Sequence, residues 1–241
     1  MAHNKLTKKE RKEIKRQEKL ETQETHTKQQ KLTTYTWWAV GIAVLFGLGF
    51  FFKAAMTPTS AVQYPEMATV TSVDHVRGAS GSATLLVEYT DFQCPACATY
   101  HTILQEVLNR KGGQIQFVYR HFPLTQIHPN AQLAAQAAEA AGKQGKFWEM
   151  HDILFTRQTD WAEEKNVDVI FRDYAVELEL DPDAFVSDMN AEETKQRVNL
   201  DIATGERVAI TGTPTFFLNG YKLKSPKSVE DFIKQIETSA R

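Results

Sequence analysis

The sequence predicts an α/β domain that is preceded by one transmembrane helix, and three observations lead to this fold class. A strand-like apolar pattern at residues 84–90 runs into a short turn, and a helical pattern follows at residues 98–109. Further helical patterns fill residues 129–208, after which another strand pattern begins. Upstream of the domain, residues 35–52 form an apolar run that contains no charged side chain.

The composition is that of a globular protein, with 42% hydrophobic and 24% charged residues among 241. The formal net charge of −2 conceals an asymmetry. Residues 1–31 carry ten Lys/Arg and five Glu, a net charge of +5, whereas residues 54–241 carry 17 Lys/Arg and 25 Asp/Glu, a net charge of −8. The acidic body argues against nucleic acid as a partner, so we expect none.

The apolar run has the length and the flanks of a membrane anchor. Its eighteen residues would span about 27 Å as a helix, close to the hydrocarbon thickness of a bilayer. Because the basic residues precede the run, we expect a cytoplasmic N-terminus and a single pass through the cell (inner) membrane. The expected segments are a basic cytoplasmic tail at 1–34, a transmembrane anchor at 35–53, a linker at 54–75 and an extracytoplasmic domain at 76–241.

A cleaved signal peptide is the alternative interpretation of the same run, with Thr59-Ser60-Ala61 as the cleavage site. Signal peptides usually total about 15–30 residues with an apolar region of about 7–15 residues. This leader and its apolar part are longer, so we favour a retained anchor and leave cleavage as the alternative.

The only two cysteines, Cys94 and Cys97, stand at the start of a predicted helix. Residues i and i+3 in a helical turn are neighbours on one face, so the two sulfurs can form a disulfide. The free N–H groups and the positive end of the helix dipole favour a thiolate at Cys94, and Pro95 suits the first helical position. The spacing is typical of a dithiol/disulfide redox site.

Two structural roles for the cysteine pair compete with the redox interpretation. A purely structural disulfide would close so small a loop that it removes little entropy from the unfolded chain. A structural zinc ion usually takes four ligands, and the sequence has no second cysteine pair, although His101 lies four residues beyond Cys97. We therefore expect redox chemistry, with neither a cofactor nor a metal.

Two further stretches supply candidate residues. Glu88 interrupts the apolar strand six residues before Cys94, and a buried carboxyl with a raised pKa could relay the proton of Cys97. Late in the chain, Thr213 and Pro214 directly precede an apolar strand pattern, a place where strands tolerate proline.

The segments FQCPAC at residues 92–97 and GTPTF at residues 212–216 resemble the two motifs of the thioredoxin fold. The helical insertion at about residues 129–208 resembles that of the DsbA-like branch, and the resemblance covers about residues 70–241. The fold class that it implies is α/β, a thioredoxin fold with a DsbA-like helical insertion, preceded by one N-terminal transmembrane helix.

The resemblance also implies a role for each candidate residue. Cys94 matches the exposed nucleophile and Cys97 the buried resolving cysteine. Pro214 matches the cis-proline beside the dithiol, and Thr213 would present its backbone to an extended substrate. Glu88 matches the buried acid of the central strand. These five are the expected catalytic residues.

The implied protein is a membrane-anchored DsbA-like thiol:disulfide oxidoreductase, most simply a dithiol oxidase that acts on reduced or misfolded exported proteins. Its implied partner is a membrane quinone-linked thiol oxidase, DsbB-like or VKOR-like, which re-oxidises the cysteine pair. The dipeptide Pro95-Ala96 lacks the His that the most oxidising members of the family carry between their cysteines. We therefore expect the reduction potential of the Cys94–Cys97 pair to be less oxidising than theirs. Phe92, Phe122 and Phe217 are candidates for an apolar surface that binds unfolded chains.

Other functions stay open on the sequence alone. A disulfide reductase or isomerase of the same fold would use the same cysteines, although residues 57–75 are too short for the dimerisation domain that such isomerases usually carry. A copper-binding metallochaperone is a different class, and it would combine the two thiolates with His101, His121 or His128.

Overall fold

The computed structural model describes residues 13, 15, 19, 36–38, 40–48 and 62–239. The chain divides into two compact units, Met1–Ser60 and Ala61–Arg241. In the first unit, residues 36–38 and 40–48 are helical, but no helix among the described residues is both long and apolar enough to cross a bilayer. Most of the predicted tail, parts of the predicted anchor and residues 54–61 of the predicted linker lie outside the described residues.

The second unit is built on one mixed sheet with the strand order β1-β3-β2-β4-β5. β2 and β3 run parallel, and the other neighbouring pairs are antiparallel. β2 lies at the centre and is buried along its whole length, which explains its nearly continuous apolar sequence. The strands are β1 (His75–Gly78), β2 (Leu85–Thr90), β3 (Gln116–His121), β4 (Thr215–Leu218) and β5 (Tyr221–Lys222).

Eight α-helices accompany this sheet within residues 62–239. Six of them, α2 to α7, occupy the stretch between β3 and β4, where the sequence predicts the helical insertion. The helices are α1 (Pro95–Lys111), α2 (Ala131–Lys143), α3 (Phe147–Thr156), α4 (Gln158–Trp161), α5 (Val167–Glu177), α6 (Pro182–Asn190), α7 (Glu192–Arg207) and α8 (Val229–Ser239).

The alternation of side chains along the central strand divides the interior into two hydrophobic clusters, one on each face of the sheet. Leu86 and Phe117 belong to the larger cluster, which contains Cys97 of α1 and most of the helical insertion. Val87 and Val118 belong to the smaller cluster on the opposite face. The cysteine pair is therefore held on the face that carries the insertion.

Residues 62–75, which the sequence assigns to a linker, pack as part of the second unit. The N–H of Tyr64 donates to the carbonyl oxygen of Gly220 over 2.8 Å. A short 3-10 helix, Pro65–Met67, places Met67 in the smaller cluster without any exposed surface. Proline, threonine and serine indicate irregular backbone, but they do not show whether that backbone packs against a core, so part of the predicted linker belongs to the second unit.

Candidate active site

Cys94 and Cys97 lie where the chain passes from β2 into α1. Cys94 is the N-cap residue with an extended backbone, φ −72° and ψ 121°, and Pro95 is the first helical residue. Cys94 keeps 8% of its surface exposed, whereas Cys97 is fully buried. Both are free thiols. The pair thus presents one accessible and one inaccessible sulfur.

The surroundings of the two thiols give them different pKa values. The pKa of Cys94 is lowered to about 5, chiefly by the hydrogen bond from the Cys97 thiol, and the backbone N–H groups of Cys97 and Ala96 add to this against the opposing effect of burial. Burial raises the pKa of Cys97 well above its usual range, and the neighbouring Cys94 sulfur raises it further. At neutral pH, Cys94 is therefore a thiolate and Cys97 a thiol.

The rate of alkylation should depend on this difference in pKa between the two thiols. We expect Cys94 of the reduced protein to react with iodoacetamide at a rate that is nearly constant above about pH 6, because the thiolate already predominates there. The rate is measured across the pH range, and mass spectrometry locates the modified cysteine. The same chain in denaturant is the control, and its rate should rise up to a pKa of about 8.5. A folded-state rate that still rises tenfold between about pH 7 and pH 8 would contradict a stabilised thiolate.

Thr213 and Pro214 lie between α7 and β4, and the peptide bond that joins them is cis. The carbonyl oxygen of Thr213 lies 3.7 Å from Sγ of Cys94. The backbone that precedes Pro214 thus borders the reactive sulfur, where an extended substrate segment could pair with it. The structure brings these residues to the cysteine pair, and their catalytic roles stay predictions.

Glu88 is buried at the centre of β2, opposite Tyr119 of β3 and Phe216 of β4. Burial raises the pKa of its carboxyl to about 8, so the carboxyl is mainly protonated at neutral pH. No hydrogen bond joins Glu88 to Cys97 within the described part of the chain. A proton that passes between them needs an intermediate group, so the relay stays a prediction.

Thr90 is the residue best placed to be that intermediate, and the sequence did not indicate it. It lies two residues beyond Glu88 in β2, on the same face of the sheet. Its hydroxyl is buried and makes no hydrogen bond of normal length, yet it lowers the pKa of both Glu88 and Cys97. The hydroxyl is therefore the candidate for a group through which the proton passes.

A glutamine of the insertion holds the turn that carries the cysteines. Nε2 of Gln158, in α4, donates to the carbonyl oxygens of Phe92 over 2.6 Å and of Cys94 over 3.0 Å. Gln158 is itself buried. Sequence reasoning missed this residue because a single polar side chain in a short helix carries no pattern that links it to a turn 64 residues away.

Gln93 and Asp91 tie the same turn to the insertion from the other side. Nε2 of Gln93 donates to the carbonyl of Ala162 over 2.6 Å, and its Oε1 accepts from the N–H of Asn130 over 2.7 Å. Asp91 accepts from the N–H of Gln93 over 2.8 Å, and its other oxygen lies 2.7 Å from Nδ1 of His128. The active-site turn is therefore held by polar contacts that the helical insertion provides.

Replacing Gln158 with Ala is expected to lower the free energy of unfolding by about 2 kcal/mol. The substitution leaves the buried carbonyl oxygen of Phe92 without this donor, whereas that of Cys94 keeps the N–H of Ala98 over 3.2 Å. An unsatisfied buried polar group costs about 1–3 kcal/mol. Denaturant unfolding measures the effect. Gln114→Ala, at an exposed position of the same fold, is the matched control and should change stability by less than about 0.5 kcal/mol. Equal effects in the two variants would show that the contacts do not hold the turn.

The phenylalanines that were candidates for an exposed binding surface are core residues. Phe92, Phe122 and Phe217 are all buried, because each one packs in a hydrophobic cluster on one face of the sheet. A large apolar side chain that does face solvent near the turn is Ile127, which is 68% exposed and precedes His128.

The histidines of the second unit do not join the thiols in a metal site. Among the described residues, two groups of three side chains converge closely enough to hold a metal ion, and neither group contains Cys94 or Cys97. His128 instead bonds Asp91. This arrangement disfavours a copper site built from the two thiolates and a histidine.

Comparisons with solved structures relate this geometry to known folds. BdbD of Bacillus subtilis superposes with a TM-score of 0.64 and 23% identity, covering 76% of this chain and 99% of that one. α-DsbA1 of Wolbachia pipientis gives a TM-score of 0.65 at 21% identity, with coverage of 73% and 95%. MdbA, a thiol-disulfide oxidoreductase from Corynebacterium diphtheriae, gives 0.59 at 20% identity, with coverage of 76% and 98%. These likenesses establish the fold.

Curated relatives are similar over part of their length. Na+/H+ antiporter NhaA 3 of Salinispora tropica is 40% identical over 157 residues, which are 65% of this chain and 23% of the antiporter. Na+/H+ antiporter NhaA 1 of Mycobacterium sp. strain KMS is 35% identical over 210 residues, 82% of this chain and 33% of the antiporter. The chain thus spans about a quarter to a third of the length of these relatives.

The family of this chain follows from its sequence. The sequence profile of the family described as thioredoxin matches residues 70–238, well over half of the chain. The matched stretch contains the cysteine pair at the start of α1, the helical insertion and the cis-proline before β4. The chain belongs to the thioredoxin family, and its fold is that of the DsbA-like branch.

Proposed function

We propose that this chain is a protein thiol:disulfide oxidoreductase that introduces disulfides into exported proteins through Cys94 and Cys97. The observation that carries the proposal is the acidity of Cys94, whose pKa of about 5 makes it a thiolate at neutral pH. A stabilised thiolate lowers the free energy of the reduced pair relative to the disulfide. The disulfide form is therefore an oxidant toward ordinary cysteines.

The cycle transfers two electrons from the substrate to the pair. A substrate thiolate attacks Sγ of Cys94 in the disulfide form, the Cys94–Cys97 bond breaks, and Cys97 leaves as a thiolate. A second substrate thiolate then attacks the substrate sulfur of the mixed disulfide and releases Cys94 as a thiolate. The products are an oxidised substrate and the reduced pair.

The neighbouring residues support these steps. Cys97 leaves into a buried environment that disfavours its thiolate, so a proton must reach it. The protonated carboxyl of Glu88 is a donor of suitable pKa, and the Thr90 hydroxyl, which lowers the pKa of both groups, is the proposed intermediate. The backbone of Thr213 beside Cys94 pairs with the substrate segment that carries the attacking thiol. A quinone-linked thiol oxidase of the membrane, DsbB-like or VKOR-like, re-oxidises the pair.

The reduction potential of the full-length chain tests the direction of electron flow. The protein is equilibrated with glutathione buffers, and the fraction of the Cys94–Cys97 disulfide is measured after acid quenching. A potential of about −120 to −200 mV supports an exported oxidase or isomerase. A potential near about −270 mV is that of a thioredoxin-like reductase, and it would overturn the oxidase function.

A second proposal concerns location: residues 35–53 anchor the chain in the cell (inner) membrane, with the N-terminus cytoplasmic and the catalytic unit outside. Its support is the uncharged apolar run and the +5 charge of the residues before it. Protease added to intact spheroplasts should digest the catalytic unit and spare the N-terminal tail. Release of the unit into a soluble fraction would show cleavage, and protection of the unit would show the reverse orientation.

A further inference from the structure

We propose that His75, His121 and Glu139 form a binding site for a divalent transition-metal ion, for which Zn2+ is the best fit. The site contains neither cysteine, and it does not depend on the redox function proposed above. It rests on the convergence of three ligand atoms, on a cavity beside them and on the local charge.

The three side chains come from three elements and meet at one point. His75 begins β1, His121 ends β3, and Glu139 lies in α2. Nε2 of each histidine lies 2.9 Å from the same oxygen, Oε1 of Glu139. In a tetrahedral zinc site with bonds of about 2.0–2.1 Å, neighbouring ligand atoms are about 3.3 Å apart. Small side-chain rotations would therefore widen the present triangle enough to admit an ion.

Both imidazole rings are held in place by aromatic neighbours. The ring of His75 stacks on Phe147, with centroids 3.4 Å apart and planes within 5°. The ring of His121 is buried and meets Tyr119 edge-on at 5.0 Å. Ligands whose orientation is already fixed by packing lose little conformational freedom when they bind an ion.

A cavity of about 280 Å³ adjoins the triad and is lined by His75, Glu139, Lys143 and Arg197, among others. The cavity provides a route for an ion from solvent and space for a water molecule as a fourth ligand. Two histidines, one glutamate and one open position form a donor set that Zn2+ takes in proteins. Mg2+ and Ca2+ prefer oxygen ligands alone, so the two imidazoles select against them.

The local charge also permits a cation. Nε of the Arg197 guanidinium lies 3.8 Å from Oε1 of Glu139. Arg197 makes a shorter contact with Asp201, at 2.7 Å, so these two charges offset each other. The carboxylate of Glu139 is therefore the anionic ligand that a divalent ion would meet.

A second group, His101, His151 and Asp152, converges within the same range, but it is a poorer site. Both terminal nitrogens of the Arg77 guanidinium donate to Asp152, over 3.3 and 3.0 Å. Nε2 of His101 lies 3.9 Å from Asp152 and 3.0 Å from Nε2 of Gln105. Because a cation already neutralises its carboxylate, this group serves as the internal control.

An ion at the first group would tie α2 of the insertion to both β1 and β3. Since the ligands come together only in the folded chain, binding should stabilise the folded state by RT ln(1 + c/Kd), where c is the concentration of free Zn2+. This stabilisation rises with the logarithm of the ion concentration once the ion exceeds Kd. The site can therefore be tested by binding and by thermal unfolding, without any redox assay.

The test is a calorimetric titration of Zn2+ into the full-length chain, purified in detergent, stripped with chelator and kept in its disulfide form so that the thiols cannot bind. We expect one ion per chain and a rise in Tm. Glu139→Gln keeps an acceptor for both histidines but removes the anionic ligand. It should weaken binding more than about 100-fold, since even outer-shell partners of a metal cost about 10–100-fold. His75→Gln should do the same at a half-buried position where misfolding is less of a concern.

Two control variants test whether the ion binds at His75, His121 and Glu139. Lys143→Gln removes a charge from the same cavity, and Asp152→Asn removes the carboxylate of the second group. Both should bind Zn2+ within about threefold of the parent chain, or more tightly for Lys143→Gln because a cation is lost. The proposal is overturned if the parent binds no ion, if Glu139→Gln and His75→Gln both keep the affinity, or if Asp152→Asn is the variant that loses it.

Discussion

Replacing Cys94 with Ser is expected to abolish thiol–disulfide exchange, and replacing Cys97 with Ala is expected to trap a covalent mixed disulfide with the substrate. The structure gives the reason, because Cys94 is the accessible sulfur with the lowered pKa and Cys97 is buried and protonated. Serine at position 94 removes the nucleophile and leaving group. With alanine at position 97, the Cys94 thiolate can still attack a disulfide of an unfolded substrate, which forms the mixed disulfide and releases the other substrate sulfur as a thiolate. The thiol that would resolve this adduct by the internal route is missing.

Exchange is measured as turnover of a reduced, unfolded protein with oxidised glutathione as the oxidant. Trapping is measured by non-reducing electrophoresis after each variant is mixed with an unfolded protein that contains disulfides. The double variant Cys94→Ser/Cys97→Ala should form no adduct and serves as the control. An adduct formed through Cys97 in Cys94→Ser would reverse the assignment of the two sulfurs. Turnover by Cys94→Ser above the buffer rate would sink the proposed chemistry, whatever the direction of electron flow.

Replacing Glu88 with Leu is expected to stabilise the folded protein at alkaline pH, by up to about 5 kcal/mol above pH 8. The pKa of Glu88 is raised from 4.5 to about 8 by burial. Between these values the unfolded chain loses the proton and the folded chain keeps it, so the stability of the parent protein falls as pH rises through this window. The cost is about 1.4 kcal/mol for each pKa unit, and it disappears well below pH 4.5, where both states are protonated.

Denaturant unfolding of the disulfide form at several pH values between about 4.5 and 8.5 tests this expectation without interference from thiol titration. Glu163→Gln, an exposed glutamate of the insertion, is the matched control and should show no pH-dependent difference from the parent. A difference between Glu88→Leu and the parent that does not grow with pH would mean that the carboxyl titrates normally. Glu88→Gln should slow the redox reaction mainly by changing its pH profile if the carboxyl supplies the proton to Cys97.

Several features of the site could be predicted from the sequence because local patterns encode them. The run at residues 84–90 is apolar because β2 is buried at the centre of the sheet, and its end leads directly to Cys94. Pro95 and the two-residue spacing indicate the first turn of α1. Proline before a strand pattern indicated the second motif, and the structure places Thr213 beside Cys94.

Other features could not be predicted because they depend on which distant segments meet. Whether residues 62–75 pack depends on a pocket for Met67 beneath β2, which forms only when the sheet is complete. A phenylalanine looks the same in the sequence whether it faces solvent or the core. Only the packing on each face of the sheet decides that Phe92, Phe122 and Phe217 are buried.

The sequence by itself determined that the chain has a strand–turn–helix redox motif, a helical insertion and a late proline motif, since each is a local pattern of polarity, turn residues and spacing. Only the tertiary structure decided which polar groups support that motif. Gln158 reaches the carbonyl of Cys94 from 64 residues away, and Glu139 meets His75 and His121 from 64 and 18 residues away. The physical reason is that the hydrogen-bond partner of a buried polar group is set by which segments meet in the folded chain. The sequence has no periodic pattern that identifies this partner.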